Sequence, residues 1–389
     1  MNEYMPEINR FQTTKTLLTE AAENQLLPAA QICLIQHGDI VLSESVGKID
    51  QQDQFIPTSN LTLFDLSSIT KVFTAAAWLK LVDREAIRLD DPLFSLFNEF
   101  TGLRPVLTTG WQQVTDFNME QASQSALKAD ASLITFRQLL RHSSGLPSSL
   151  ELFLYENSQQ AKETVLHTPF AYPPDSDVIN SDIGYMLLGW AIEYLCDTNL
   201  SAAIDDLILN PLHLEETGFR PLEFSSNAPL PHPAEGIAPT KDLRWRNKWL
   251  RGEVNDKNCA FFNGVTGHAG LFSTAADLAA FGQAFLDGSD YMKPETLFAM
   301  THSQAVSKDG RLQYGLGFQL WSDDPTASFA ALSSETFGHS GINESCFWVD
   351  PQRELVIAFL SNQGLNQCQQ AMSVPFTSQL VRAILEDLQ

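Results

Sequence analysis

The chain has 389 residues, a formal net charge of -23 and a pI near 4.6. A surface this acidic repels phosphate backbones and anionic lipid, so nucleic acid is not an expected partner. Hydrophobic residues at 44% and charged residues at 18%, with no low-complexity tract, indicate an ordinary globular protein with a sizeable core.

The N-terminus, "MNEYMPEINRFQTTKTLLTEAAENQ", lacks the basic n-region and unbroken apolar h-region of a secretory signal, and no stretch reaches the length of a membrane span. The expectation is a cytoplasmic protein without a membrane span. Cys33, Cys196, Cys259, Cys346 and Cys368 are an odd, scattered set with no C-x-x-C, and the eight histidines show no ligand spacing. No disulfide framework, metal or cofactor is expected.

Taken in chain order, a helix near residues 12 to 26 is followed by "AAQICLIQHGDIVLSESVG", two strand-like runs joined by a His-Gly-Asp turn, which reads as a hairpin. Next comes "LSSITKVFTAAAWLKLV", apolar almost throughout from Val72 to Leu79, the signature of a helix buried on all sides. From about 85 to 305 the signals are helical and loop-like, with Pro-rich and polar stretches at 101 to 132 and 220 to 262. Strands return in "LQYGLGFQLW", "ESCFWVD" and "ELVIAFLSN", and a helix closes the chain. The expected fold is α/β (α+β): residues 1–85 and 305–389 form a lobe with one antiparallel sheet built from both termini. Residues 86–304 form an inserted, mainly helical lobe, with the active site in the cleft between.

Lys71 is the anomaly in the buried helix. It lies at the front edge, where backbone N–H groups already concentrate positive charge and a cation is disfavoured. Ser68 stands three residues earlier, on the same helix face and within reach. A serine hydroxyl needs a base to become nucleophilic, and a desolvated lysine at a helix N-terminus can be that base. The alternative from the same residues is that Ser67 or Ser68 only caps the helix and Lys71 snorkels to solvent.

Further motifs favour the first reading. "FDLSSITKV", "LITFRQLLRHSSGLP", "INSDIGYMLLGW", "ILNPLHLEETGF", "GVTGHAGLFSTAADLAAF" and "FGHSGINESCFWVDPQRELVIAFLSN" occur in one fixed order, and the resemblance they carry runs over roughly residues 28 to 385. Together they resemble the serine β-lactamase superfamily, closest to class C enzymes, DD-peptidases and the esterases that share their fold. The resemblance implies that Ser68 is the acylated nucleophile, with Lys71 as its partner. It also implies that His339, Ser340 and Gly341 form the substrate-facing strand-edge motif, and that the N–H groups of Ser68 and Ile342 hold the oxyanion. Gly338, His339, Ser340 and Gly341 are one residue short of a G-x-S-x-G elbow, so Ser340 is not the expected nucleophile.

The chain departs from the family pattern at its second motif. Asn180, Ser181 and Asp182 stand where Tyr-x-Asn or Tyr-Ser-Asp is typical, and an asparagine amide cannot titrate in place of a phenol. Asp182 is expected either to hold Lys71 or to cap the following helix. A second departure places Asn255 and Asp256 after Val254 where a branch has Val-His-Asp; His268 is read as structural, and Tyr172 and Tyr185 do not occupy the missing position. Two functions follow: a serine hydrolase acting through an acyl-enzyme on a small ester, lactam or peptide, or an impaired family member kept as a binding or regulatory protein. Trp245 and Trp249 beside Arg244, Arg246, Lys248 and Arg251 form a candidate contact for an anionic or aromatic acyl group, or else a solvated loop.

Overall fold

A computed structural model of the chain describes residues 10–49, 56–107, 125–220, 236–242, 245–288, 291–341, 343–363 and 375–389. Its centre is an antiparallel sheet of eight strands: β1 (Ala29–Gln36), β2 (Asp39–Gly47), β3 (Ala305–Val306), β4 (Gln313–Tyr314), β5 (Gln319–Leu320), β6 (Phe337–Ser340), β7 (Cys346–Asp350) and β8 (Leu355–Ser361). Their spatial order is β3-β4-β5-β6-β7-β8-β1-β2, so the N-terminal hairpin adds to the C-terminal meander. Ile32 lies opposite Phe359, and His339 opposite Phe347.

Six helices matter for the site: α1 (Gln12–Glu23), α2 (Thr70–Asp83), α3 (Phe136–Leu140), α4 (Asp182–Cys196), α5 (Ala275–Leu286) and α6 (Phe376–Asp387). β8 reads LVIAFLS and is buried at every residue because helices cover both of its faces. Leu355, Ile357 and Phe359 pack with Leu18 of α1 and with Leu380 and Ile384 of α6, while Val356, Ala358 and Leu360 join the larger core with α2 and α5. The termini are tied by Asp387, whose carboxylate accepts from the Thr13 and Thr14 N–H groups at 3.1 and 2.8 Å and so satisfies free donors of the first turn of α1.

Two expectations need correction. α5 falls within the stretch assigned to a helical insertion, yet it packs on β1, β7 and β8. "LQYGLGFQLW" is two short strands, because the chain turns at 315–317. Gly317 has φ +102°, and a Cβ there would lie 2.3 Å from Cβ of Ala75, so only glycine lets this turn rest on α2. A smaller sheet also joins Phe64–Asp65, Leu271–Ser273 and Gly218–Phe219, which anchors the approach to α2. No helix among the described residues is long and apolar enough to cross a membrane.

Candidate active site

The site begins where that smaller sheet ends. Phe64 and Asp65 pair with Ser273 and Phe272, the Leu66 N–H donates to the Leu271 carbonyl at 2.9 Å, and the chain then turns sharply. Ser67 sits at φ +50°, a left-handed conformation disfavoured for a non-glycine residue. Asp65 holds it there: Oδ1 accepts from the Ser67 N–H at 2.9 Å and Oδ2 from the Asn255 N–H at 2.7 Å. Burial pushes the Asp65 pKa up to about 6, against these hydrogen bonds, and the nearby charge of Asp256 adds to the rise.

A 3-10 turn over Ser67–Ile69 then leads into α2. Neither serine side chain caps that helix, which removes the capping alternative. Ser67 is buried, whereas Ser68 is partly exposed. Lys71 is 1% exposed, so it does not snorkel. Its Nζ donates to Ser68 Oγ at 3.1 Å and meets Asp182 Oδ1 at 2.8 Å. An ammonium removed from water to this degree needs a partner, and Asp182 is that partner.

Asp182 is placed by the start of α4. Ser181 supplies the cap, its Oγ accepting from the Gly184 N–H at 3.1 Å and donating to the Pro147 carbonyl at 2.7 Å. The capping role considered for Asp182 therefore belongs to its neighbour, and the carboxylate is free to face Lys71. His142, buried and left-handed at φ +58°, accepts from the Ser181 N–H through Nδ1 at 3.0 Å. Asn180 does not meet Lys71 or Ser68; its Nδ2 donates to the Tyr314 hydroxyl at 3.0 Å. Burial raises the Tyr314 pKa to about 12 despite that hydrogen bond, so its phenol is neutral.

β6 closes the other side. The Gly341 N–H donates to the Ser345 carbonyl at 2.8 Å, and a Cβ on Gly341 would stand 3.3 Å from the Leu66 carbonyl oxygen, so the strand end abuts the turn that carries Ser68. Ser340 is exposed. His339 is instead buried, its Nδ1 donating to the Ser340 carbonyl at 2.8 Å, and burial, aided by Lys71, lowers its pKa to about 3. Ile342 lies outside the described residues, as does Arg244.

A second pair joins the buried His268, through Nε2, to the partly exposed Asp256, through Oδ1, at 2.9 Å. Asp256 also accepts from the Cys259 N–H at 2.7 Å, and its pKa is held down at about 2 against burial, chiefly by His268 and in part by Lys71. The described basic residues near the tryptophans are engaged within the chain. Arg246 binds Asp242 at 3.0 Å and donates to the Val254 and Asn255 carbonyls at 2.8 and 2.7 Å; Lys248 meets Glu253 at 2.9 Å; Arg251 donates to the Ile49 carbonyl. Trp245 and Trp249 stay 38% and 49% exposed. Among the described residues, no group of three or more His, Cys, Asp or Glu could hold a metal ion.

A family model for Beta-lactamase matches residues 14–372. The chain belongs to the Beta-lactamase family. A protein of Escherichia coli K12 named "Putative D-alanyl-D-alanine carboxypeptidase" is 27% identical over 363 residues, covering 86% of this chain and 78% of its own. Two solved structures share the fold. One is EstCE1, a hydrolase with promiscuous acyltransferase activity (TM-score 0.71, 17% identity, 96% of this chain and 97% of that one). The other is a penicillin-binding protein homologue of Caulobacter crescentus (TM-score 0.69, 19% identity, 97% and 98%).

For this Beta-lactamase family member, the structure brings Ser68, Lys71 and Asp182 into one bonded set and sets Gly341 against the same turn. Asp65, His142 and Tyr314 escaped the sequence reading. His142 stood within a quoted motif and Tyr314 within a presumed strand, but nothing local announces that either meets the 180–182 segment.

Proposed function

We propose that the protein is a serine hydrolase acting through an acyl-enzyme on Ser68, with a small ester or amide as substrate. The observation that carries this reading is a lysine 1% exposed whose Nζ lies 3.1 Å from a serine Oγ and 2.8 Å from a carboxylate. Lys71 in its amine form takes the Ser68 proton as Oγ bonds to the carbonyl carbon, then returns it to the departing alcohol or amine. Asp182 accepts a hydrogen bond from Nζ throughout and offsets the charge that appears there. The Ser68 N–H, at the entry to α2, faces the developing oxyanion, and Ile342 supplies the second donor. Ser340 and Gly341, at the end of β6, line the approach for the substrate beside the turn that carries Ser68. Water then attacks the acyl carbon, and its proton returns through Lys71 to Ser68. Kinship with proteins named as carboxypeptidase, hydrolase and penicillin-binding protein supports acyl transfer as the reaction type. The test is turnover of p-nitrophenyl esters, nitrocefin and a D-Ala-D-Ala peptide by the wild type and by Ser68→Ala. Hydrolysis of any one that Ser68→Ala loses supports the proposal. A labelled Ser68 without turnover points instead to the impaired binding protein.

A further inference from the structure

Lys71 on α2 and Asp182 at the start of α4 meet at 2.8 Å, so their contact depends on how the two helices are spaced. Residues 266–271 touch both helices. Thr74, three residues after Lys71, is wholly buried, and its Oγ1 donates to the Gly267 carbonyl at 2.8 Å. Thr70, just before Lys71, accepts the Leu271 N–H through Oγ1 at 3.3 Å, and the Leu271 carbonyl in turn accepts the Leu66 N–H at 2.9 Å. The segment is thus bonded to α2 on either side of Lys71. Against α4 it packs backbone to backbone. A Cβ on Gly267 would stand 2.1 Å from the Tyr185 carbonyl oxygen and 3.0 Å from the Gly189 nitrogen, and a Cβ on Gly189 would stand 2.9 Å from the Gly267 nitrogen. Tyr185 and Gly189 lie three and seven residues after Asp182, on the same face of α4.

The segment is also tied down from outside. Thr266 Oγ1 meets His268 Nδ1 at 2.9 Å, His268 Nε2 meets Asp256 Oδ1 at 2.9 Å, and Thr266 pairs with Ala269 as an antiparallel bridge. Asn255, beside Asp256, gives its N–H to Asp65 at 2.7 Å, and Asp65 holds the Ser67 N–H at 2.9 Å. One run of bonds therefore leads from the turn before Ser68 round to residues 266–271 and back to α2. Satisfied buried networks of this kind rigidify the elements they join.

From these contacts we infer that Gly267 and Thr74 are positioning residues for the reaction at Ser68: residues 266–271 form a spacer that sets α2 against α4 and so holds Lys71 Nζ on the Asp182 carboxylate. The spacing depends on a missing side chain. A Cβ at 267 meets a backbone oxygen, which no rotamer change can move aside, so the segment and α4 must part by roughly 1 Å to reach ordinary contact. Lys71 rides on α2, which is bonded to the segment, and Asp182 rides on α4, so their contact lengthens with that parting. A displacement of about 1 Å introduced away from the reacting atoms can cost about 10² in rate. The effect on rate rests on Ser68 and Lys71 being nucleophile and base; the effect on the Lys71–Asp182 distance does not.

Crystal structures and p-nitrophenyl butyrate kinetics of the wild type, Gly267→Ala, Thr74→Val and Thr74→Ser test this, with Gly282→Ala as a control. Gly282 on α5 is similarly crowded, since its Cβ would stand 2.6 Å from Phe347 Cε2 and 2.7 Å from Val356 Cγ1, but that contact lies between α5 and the sheet. Gly267→Ala is expected to lengthen the Lys71–Asp182 contact and to lower kcat about 10²-fold with KM little changed. Thr74→Val should do the same to a smaller degree, and Thr74→Ser, which keeps the hydroxyl, should match the wild type. Gly282→Ala should melt at a lower temperature yet keep both the contact and kcat. The inference is overturned if Gly267→Ala keeps the contact and the rate, if Thr74→Ser is as slow as Thr74→Val, or if Gly282→Ala loses as much rate as Gly267→Ala. Should Gly267→Ala fail to fold, the Thr74 pair decides by the same readouts. A wild type inert toward the ester tells against the hydrolase and not against the spacer, which the crystallographic distances then decide.

Discussion

Replacing Asp65 by asparagine tests how the turn at Ser67 is held. The wild-type carboxylate accepts two backbone N–H groups, at 2.9 and 2.7 Å, and is 3% exposed. Its pKa rises from the ordinary 3.8 to about 6 on folding. Because the folded pKa is the higher one, the folded state holds the proton more tightly. The associated stability is complete below the unfolded value and is lost as pH rises through the folded value. Over the full range this amounts to about 3 kcal/mol, of which roughly half falls between pH 5 and 8. Asp256, held at about 2, behaves in the opposite sense, with stability lost as pH falls below about 4, so it stays out of this window.

Asp65→Asn cannot titrate, and its amide NH2 faces a backbone donor, which removes one bond at a cost of about 1–3 kcal/mol. At pH 5 the variant should be less stable than the wild type by roughly that amount. By pH 8 the deficit should shrink by about 1.5 kcal/mol as the wild type pays to ionise. Unfolding at fixed pH, from 5 to 8, measures the difference directly. A deficit that stays constant across this range would refute the claim that Asp65 ionises inside the fold.

Ser68→Ala should abolish hydrolysis and cost only about 1 kcal/mol, since it removes one hydrogen bond and no cap; Ser67→Ala should retain activity, and rate assays with thermal melts on both check this. Asn180→Tyr should lose about 1–3 kcal/mol in thermal unfolding, because the Tyr314 hydroxyl already lies 3.0 Å from Nδ2, and Tyr314→Phe in the same chain should recover part of the loss. Gly317→Ala should cost about 3 kcal/mol through its positive φ and its contact with Ala75, and should depress the ester rate by shifting α2.

Much of this arrangement was legible in the sequence where the signal was local. The β1–β2 hairpin is marked by its His-Gly-Asp turn, and Lys71 by being the one charge at the front of an apolar run. The serine three residues before it completed the pair. Features set by distant partners were not legible. The bond from Asn255 to Asp65 spans 190 residues, and that from Asn180 to Tyr314 spans 134. Helical periodicity identified α5 without saying which surface it covers. Apolar residues in "LQYGLGFQLW" suggested one strand, and only the contact of Gly317 with α2 explains the break. The resemblance alone turns His339 toward the substrate, and no local pattern announces that its ring is buried with Nδ1 on the Ser340 carbonyl.

The most direct test of the account is the site and rate of covalent labelling. Wild type, Ser68→Ala and Lys71→Met are treated with a fluorophosphonate at fixed pH and followed by intact mass, with peptide mapping of the adduct. One adduct on Ser68 is predicted, absent from Ser68→Ala and formed about 10² to 10⁴ more slowly in Lys71→Met. An adduct on Ser67 or Ser340, an undiminished rate in Lys71→Met, or a folded wild type that takes no label would contradict the assignment of Ser68 and Lys71 as nucleophile and base.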